Sequence, residues 1–284
     1  MKKAIHIDSP IPFSSSLFDN SISLYGSCDG LILCVTYPPR ILLLLNPSTR
    51  EQITLPHSPF HDTTYHVSYG FGYNASTDDY NIVAISCTYA YIIVSVCVYT
   101  QKTNSWRIIR DSPLSMVSDA PGTLFNGVLH WFAYENMSTV IAFHLWEEKF
   151  QNFPLPCFEA PSIPRFIGVL RGCLCITVGE PDTNSTEFWV MKEYGKRESW
   201  TKVATCPHYL TKPLNFTNND EIQFLMDETT PLRSYNLKNN KYGSRMIPYA
   251  YGSLELLQYL EAEICLESIV SPNRHCFTPI VIDD

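Results

Sequence analysis

The 284-residue sequence has no run of the ~18 to 20 apolar residues that a membrane-spanning helix needs. Ile41 to Leu45 and Ala90 to Tyr99 are apolar stretches of strand length only, so no membrane partner is expected. The start, Met1-Lys2-Lys3-Ala4-Ile5-His6-Ile7-Asp8, has two lysines but no apolar core behind them. That excludes a secretory leader and points to the cytoplasm or nucleus. Basic residues are scarce and scattered, 20 Lys and Arg against 28 Asp and Glu, for a net charge of −8. A nucleic-acid reader needs a basic footprint for the phosphates, so no nucleic-acid partner is expected. No Cys-x-x-Cys occurs among the ten cysteines. In a reducing compartment they read as small buried hydrophobes. The four Asn-x-Ser/Thr sequons, at Asn74, Asn136, Asn184 and Asn215, then read as polar turn chemistry. Also missing over residues 24–245 is any apolar stripe of 3.6-residue period and helical length; Leu254 to Leu260 stays open as either a short helix or a closing strand.

What is present is a repeat. A turn followed by an apolar strand runs Asp29-Gly30-Leu31-Ile32-Leu33-Cys34-Val35. It returns as Asn126-Gly127-Val128-Leu129-His130-Trp131-Phe132 and Arg171-Gly172-Cys173-Leu174-Cys175-Ile176. Weaker copies begin at Tyr80-Asn81 and Asp220-Glu221, and from Gly30 onward the steps are 51, 46, 45 and 49 residues. A second element is a strand, a polar turn, and an aromatic opening the next strand. It ends at Trp106, Phe150, Trp200 and Tyr242, with steps of 44, 50 and 42. Units of ~40 to 50 residues holding about four short strands are the pattern of propeller blades. A lone blade has two apolar faces and covers neither; blades packed face to face around an axis cover both. The predicted fold is all-β, a β-propeller of about five to six four-stranded blades, with the recurring aromatics as large packing residues. One domain spans 1–284: an N-terminal segment over 1–23, repeat units over 24–245, and closing strands over 246–284.

Candidate chemistry resolves into turns. Gly26-Ser27-Cys28-Asp29-Gly30 has the spacing of a nucleophile elbow, but a strand rather than a helix follows. His57, His61 and His66, with Asp62, lack the companion ligands of a zinc site. Gly70-Phe71-Gly72 lacks the third glycine and the helix of a dinucleotide site and reads as close backbone packing in a strand. Asp78-Asp79 precedes Tyr80 in a hairpin turn, and Glu147-Glu148 occupies another. The reading is of no catalytic residue, no metal and no cofactor. A different class stays open, a propeller hydrolase acting on a glycan, which requires two carboxylates in a central pocket.

The strings that carry the repeat also resemble a family. They are Ser27-Cys28-Asp29-Gly30-Leu31, Asn46-Pro47-Ser48-Thr49-Arg50-Glu51, Gly70-Phe71-Gly72-Tyr73 with Asp78-Asp79-Tyr80, and Thr103-Asn104-Ser105-Trp106-Arg107. Phe125 to Trp131 and Trp189 to Tyr194 followed by Ser199-Trp200-Thr201-Lys202 continue the order. Together they resemble the plant F-box-associated (type 1), or F-box/kelch-repeat, domain over about residues 24 to 245, and Glu267-Ser268-Ile269-Val270 looks like its closing strand. The resemblance implies a substrate-receptor propeller of an SCF ubiquitin ligase. An F-box docks on a Skp-type adaptor and cullin, and the propeller captures a target protein. The F-box is expected upstream, and residues 1–23 are too few to hold it, so adaptor and cullin join only where an upstream F-box exists. Loops are where such a scaffold binds. The expected target-binding residues are Phe60, His61, Tyr65 and His66 in the loop Pro56 to His66, with Asp111 to Pro121 as second choice.

Overall fold

A computed structural model describes residues 21–37, 40–61, 66–87, 94–109, 117–118, 120–133, 139–156, 158, 162–180, 182–207, 212–216, 221–225, 233–236, 239, 241–242 and 268–273. Among them, twenty strands form five four-stranded antiparallel sheets, each taken in chain order. Sheet one is β1 (Ser21–Cys28), β2 (Leu31–Tyr37), β3 (Ile41–Asn46) and β4 (Glu51–Thr54). Sheet two is β5 (His66–Asn74), β6 (Asp79–Cys87), β7 (Val94–Thr100) and β8 (Ser105–Ile109). Sheet three is β9 (Thr123–Phe125), β10 (Val128–Phe132), β11 (Thr139–His144) and β12 (Lys149–Pro154). Sheet four is β13 (Ile163–Leu170), β14 (Cys173–Glu180), β15 (Ser185–Met191) and β16 (Trp200–Cys206), with a short 3-10 turn over Arg197–Ser199. Sheet five is β17 (Lys212–Phe216), β18 (Glu221–Leu225), β19 (Arg233–Asn236) and β20 (Lys241–Tyr242). The first strands of successive sheets are neighbours, β1 beside β5, β5 beside β9, β9 beside β13, and β13 beside β17. The sheets are therefore blades set side by side, as the repeat predicts.

The repeated turn is dictated by backbone sterics. A two-residue hairpin matching the twist of its strands needs positive φ at both central positions, which Asn-Gly and Asp-Gly accept most readily. Asp29-Gly30 (φ 50° and 86°), Asn126-Gly127 (51° and 72°) and Arg171-Gly172 (50° and 71°) all adopt it. The third-to-fourth-strand turns carry one such residue each in blades one to three, Arg50, Asn104 and Glu148.

The second repeated element is a clamp across each outer hairpin. Trp106 stands opposite Tyr99, Phe150 opposite Phe143, Trp200 opposite Met191, and Tyr242 opposite Tyr235. The aromatic pairs have centroids 5.4, 4.8 and 5.2 Å apart. Each outer aromatic also enters the core between its own blade and the one before. Trp106 joins the cluster of blades one and two, Phe150 that of two and three, Trp200 that of three and four, and Tyr242 that of four and five. In blade one the same register holds Leu45 opposite Gln52, with no aromatic.

Second strands are continuous apolar runs because both their faces are buried. Along β6, Ile82 and Ala84 pack toward blade one while Val83 and Ile85 pack toward blade three. Leu129 and Trp131 of β10 turn toward blade two, and Val128 and Phe132 toward blade four. Trp131 explains the glycines. A Cβ on Gly70 would lie 2.7 Å from its Cζ2, and one on Gly122 only 2.4 Å away. The indole occupies that space and donates Nε1–H to Ser68 Oγ (2.9 Å), which donates to the Ala120 carbonyl (2.7 Å). Gly122 N–H closes the joint on Tyr69 O at 2.8 Å. Close packing in the strand is thus confirmed for Gly70.

Candidate functional site

Antiparallel order fixes two faces. Within each blade, the turn after the first strand and the turn after the third lie at the same end. β5 and the residue leading into β9 run parallel, Gly70 opposite Gly122, and the repeat carries that sense around the blades. One face therefore gathers the tight turns, including 29–30, 47–50, 101–104, 126–127 and 145–148. The other gathers the second-to-third-strand loops and the connections between blades, including the described residues 55–61, 117–118, 120–122 and 155–156.

Several polar groups near the tight-turn face join blade to blade. Tyr80 donates its hydroxyl to Asp29 at 3.1 Å, and Asn74 Nδ2 donates to Leu145 O at 2.7 Å. Arg107 pairs with Glu148. Between blades three and four, His130 Nδ1 lies 3.1 Å from the Thr123 carbonyl, which can only accept, so Nδ1 carries the proton. Its Nε2 then accepts from the Tyr194 hydroxyl at 2.8 Å. Tyr194 reaches over from the β15–β16 connection and packs on Phe125 and Phe153. Burial lowers the His130 pKa from 6.5 to about 4, against the opposing pull of the Thr123 carbonyl, and raises Tyr194 to about 12.

Cys28 ends β1, and β2 rather than a helix follows its turn. Burial and then the Asp29 carboxylate push its thiol up to about 12, the wrong direction for a nucleophile. Burial likewise raises the thiols of Cys97, Cys175 and Cys206. Asp78 lies in its turn at φ 52°, and Asp79 is buried, accepting from the N–H groups of Tyr80 and Lys102. Glu147 and Glu148 lie in the β11–β12 turn. Among the described residues, no three His, Cys, Asp or Glu side chains gather as a metal site. No helix among them is long and apolar enough to cross a membrane.

The described part of the loop Pro56 to His66, residues 56–61 and His66, lies on the face of long connections, and Phe60 requires a correction. Its ring is only 8% exposed and packs in the core of blades one and two. Arg40 donates to its carbonyl at 2.8 Å, and its N–H donates to Ser58 Oγ at 3.3 Å. Phe60 is therefore an anchor of the loop and offers no ring to a partner. His61 is half-buried, stacks on the exposed His57 at 4.7 Å between centroids, and lies 2.9 Å through Nδ1 from Ser58 O. His66 is exposed at the start of β5, and Tyr65 lies outside the described residues. In the second loop, residues 111–116 and 119 lie outside the described residues, and Val117 is buried and pairs with Ala133. Sequence reading missed Ile108, 61% exposed on β8; an apolar residue on an outer strand gives no periodic signal of its exposure. Of the expected closing strands over 246–284, only residues 268–273 are described, and Glu267 lies outside the described residues.

Comparison with known proteins agrees with this architecture. The chain is similar to an F-box/kelch-repeat protein of Arabidopsis thaliana, 28% identical over 256 residues, covering 87% of this chain and 68% of that protein. It is 31% identical over 217 residues to the F-box protein CPR1 of Arabidopsis thaliana, covering 64% of this chain and 51% of that protein. The chain thus spans between about half and two thirds of these relatives. Among solved structures, TolB from Acinetobacter baumannii superposes with a TM-score of 0.53 at 8% identity, over 78% of this chain and 53% of that one, a likeness of fold alone. A family model described as the F-box associated beta propeller domain matches residues 2–279, and the chain belongs to that family.

Proposed function

We propose that this chain is the target-binding propeller of an SCF-type ubiquitin ligase receptor, a single domain working in the cytoplasm or nucleus with no catalytic step of its own. The observation that carries the reading is the family match over residues 2–279, with relatives that are themselves F-box proteins. An F-box on the same polypeptide docks on a Skp-type adaptor and, through it, a cullin. The propeller holds a second protein nearby. Its contribution is effective concentration: tethering turns an encounter between the ligase and a target lysine into an intramolecular event.

The target is read by the face of long connections. Several tight-turn residues bond blade to blade, whereas the connections differ in length from blade to blade. In the loop Pro56 to His66, His57, His61 and His66 supply the contact together with Tyr65, and buried Phe60 holds the loop in place from behind. Exposed Ile108 on the neighbouring β8 supplies apolar area of the sort that anchors interfaces. The test is to express the chain in plant cells with and without an F-box fused ahead of it. Captured proteins are expected in both cases, and become ubiquitylated and short-lived only with the F-box. Capture with unchanged turnover in the fused form would sink the receptor reading.

A further inference from the structure

Across the tight-turn face of the first two blades lies a piece of the chain's own C-terminal region, residues 268–273, which belongs to no strand. Two amide side chains hold it. Asn46, the last residue of β3 and 1% exposed, accepts through Oδ1 from the N–H groups of Ser48 (2.7 Å) and Thr49 (3.3 Å). Its Nδ2 is thereby fixed in direction and donates to the carbonyls of Ser268 (2.9 Å) and Val270 (2.8 Å). Every donor and acceptor of that amide is used. Gln101, fully buried at the start of the β7–β8 turn, donates from Nε2 to the Pro272 carbonyl. Val270 packs on the core of blades one and two, Pro272 is buried, and Ile269 is 92% exposed. The groove reads three main-chain carbonyls and two apolar side chains at alternate positions. Those are features that extended peptides share, rather than marks of one sequence.

The fit is incomplete at one atom. Gln101 Oε1 is buried and has no hydrogen-bond partner among the described residues. An extended residue offers its N–H and its C=O on one edge, and a primary amide can pair with both. Pro272 has only the carbonyl to give, and an unmet buried acceptor weakens the contact. We infer that this groove is a docking site for an extended peptide of a partner protein, one with an apolar side chain two residues ahead of a residue bearing a free N–H. Residues 268–273 fill it in cis as a weaker stand-in. The site lies on the face opposite the long connections and does not rest on the receptor reading.

The test uses the full chain carrying Val270→Asp, which withdraws the apolar plug from the core. Two fluorescent peptides spanning residues 266–275 are titrated against it, one native and one with alanine replacing Pro272. The alanine peptide should bind about five-fold tighter or better, the effect of one recovered hydrogen bond. Adding Gln101→Met should erase that preference. Asn46→Asp, which keeps the two acceptor contacts and loses both donors, should abolish binding of either peptide. Equal affinities, or no saturable binding, overturn the inference. Loss of cooperative unfolding in the Val270→Asp chain also overturns it, because the segment would then be integral to the fold. Hydrogen exchange on the unaltered chain gives an independent reading: amides of 268–273 should exchange at least about ten-fold faster than those of β6, as a locally opening segment does. Equal protection contradicts an exchangeable occupant.

Discussion

Acid should weaken this propeller through one buried imidazole. His130 is neutral in the folded chain, donating through Nδ1 to Thr123 and accepting through Nε2 from Tyr194. Its pKa is lowered from 6.5 to about 4, chiefly because burial penalises the charged ring. A lowered folded pKa means that the unfolded chain takes up the proton first, so the stabilisation is whole above about pH 6.5 and is lost as pH falls through about 4. The full difference is worth about 3 kcal/mol, of which about 2 kcal/mol is already gone near pH 5. Protonation also sets two donors against a Tyr194 hydroxyl that was itself donating, which requires the hydroxyl to turn. The assay is urea unfolding of the parent and of His130→Gln near pH 7.5 and near pH 5. Other groups titrate in both chains and cancel in the comparison. Gln at 130 should lower stability at the higher pH, and the gap should shrink by about 2 kcal/mol at the lower one. A gap that stays constant would refute a neutral, desolvated His130.

Gly70→Ala should destabilise by about 1 to 3 kcal/mol by overpacking, because its Cβ meets the Trp131 ring at 2.7 Å. Combined with Trp131→Leu, the glycine change should become nearly neutral, and calorimetry on the double-mutant cycle reads that coupling. Tyr194→Phe removes the donor to His130 Nε2 and should cost about 1 to 3 kcal/mol for the buried acceptor left unmet, seen as a lower urea midpoint near neutral pH. Arg171, at φ 50° in a turn that Asp29 and Asn126 occupy elsewhere, should gain about 0.5 to 1 kcal/mol on replacement by Asn, measured as a raised Tm.

Much of the fold was legible because its devices are local in sequence. The turns of Asp29-Gly30, Asn126-Gly127 and Arg171-Gly172 advertise positive φ, and the aromatic after each polar outer turn marks a cross-strand clamp. Blade one escapes the second signal because Leu45 and Gln52 occupy the clamp register, yet its β2 and β3 are apolar enough to declare themselves. What stayed hidden depends on distant partners. Gly122 reads as a loop glycine until Trp131 and Tyr69 are set around it, and nothing near Tyr194 names His130 as its partner. Phe60 misled for a related reason: its neighbours His57, His61 and Asp62 are polar and suggest a solvated loop. The ring nevertheless turns inward to fill the seam between blades one and two. Asn46 shows the limit most plainly, since its role depends on carbonyls more than two hundred residues away.

The most direct test of a target-binding propeller is hydrogen exchange on the chain with a captured target bound. Protection is expected at the described residues of the long connections, 55–61, and at Ile108, with the turns 47–50, 101–104 and 145–148 unchanged. Protection confined to those turns, with the connections exchanging as freely as in the unbound chain, would contradict the assignment of the binding face.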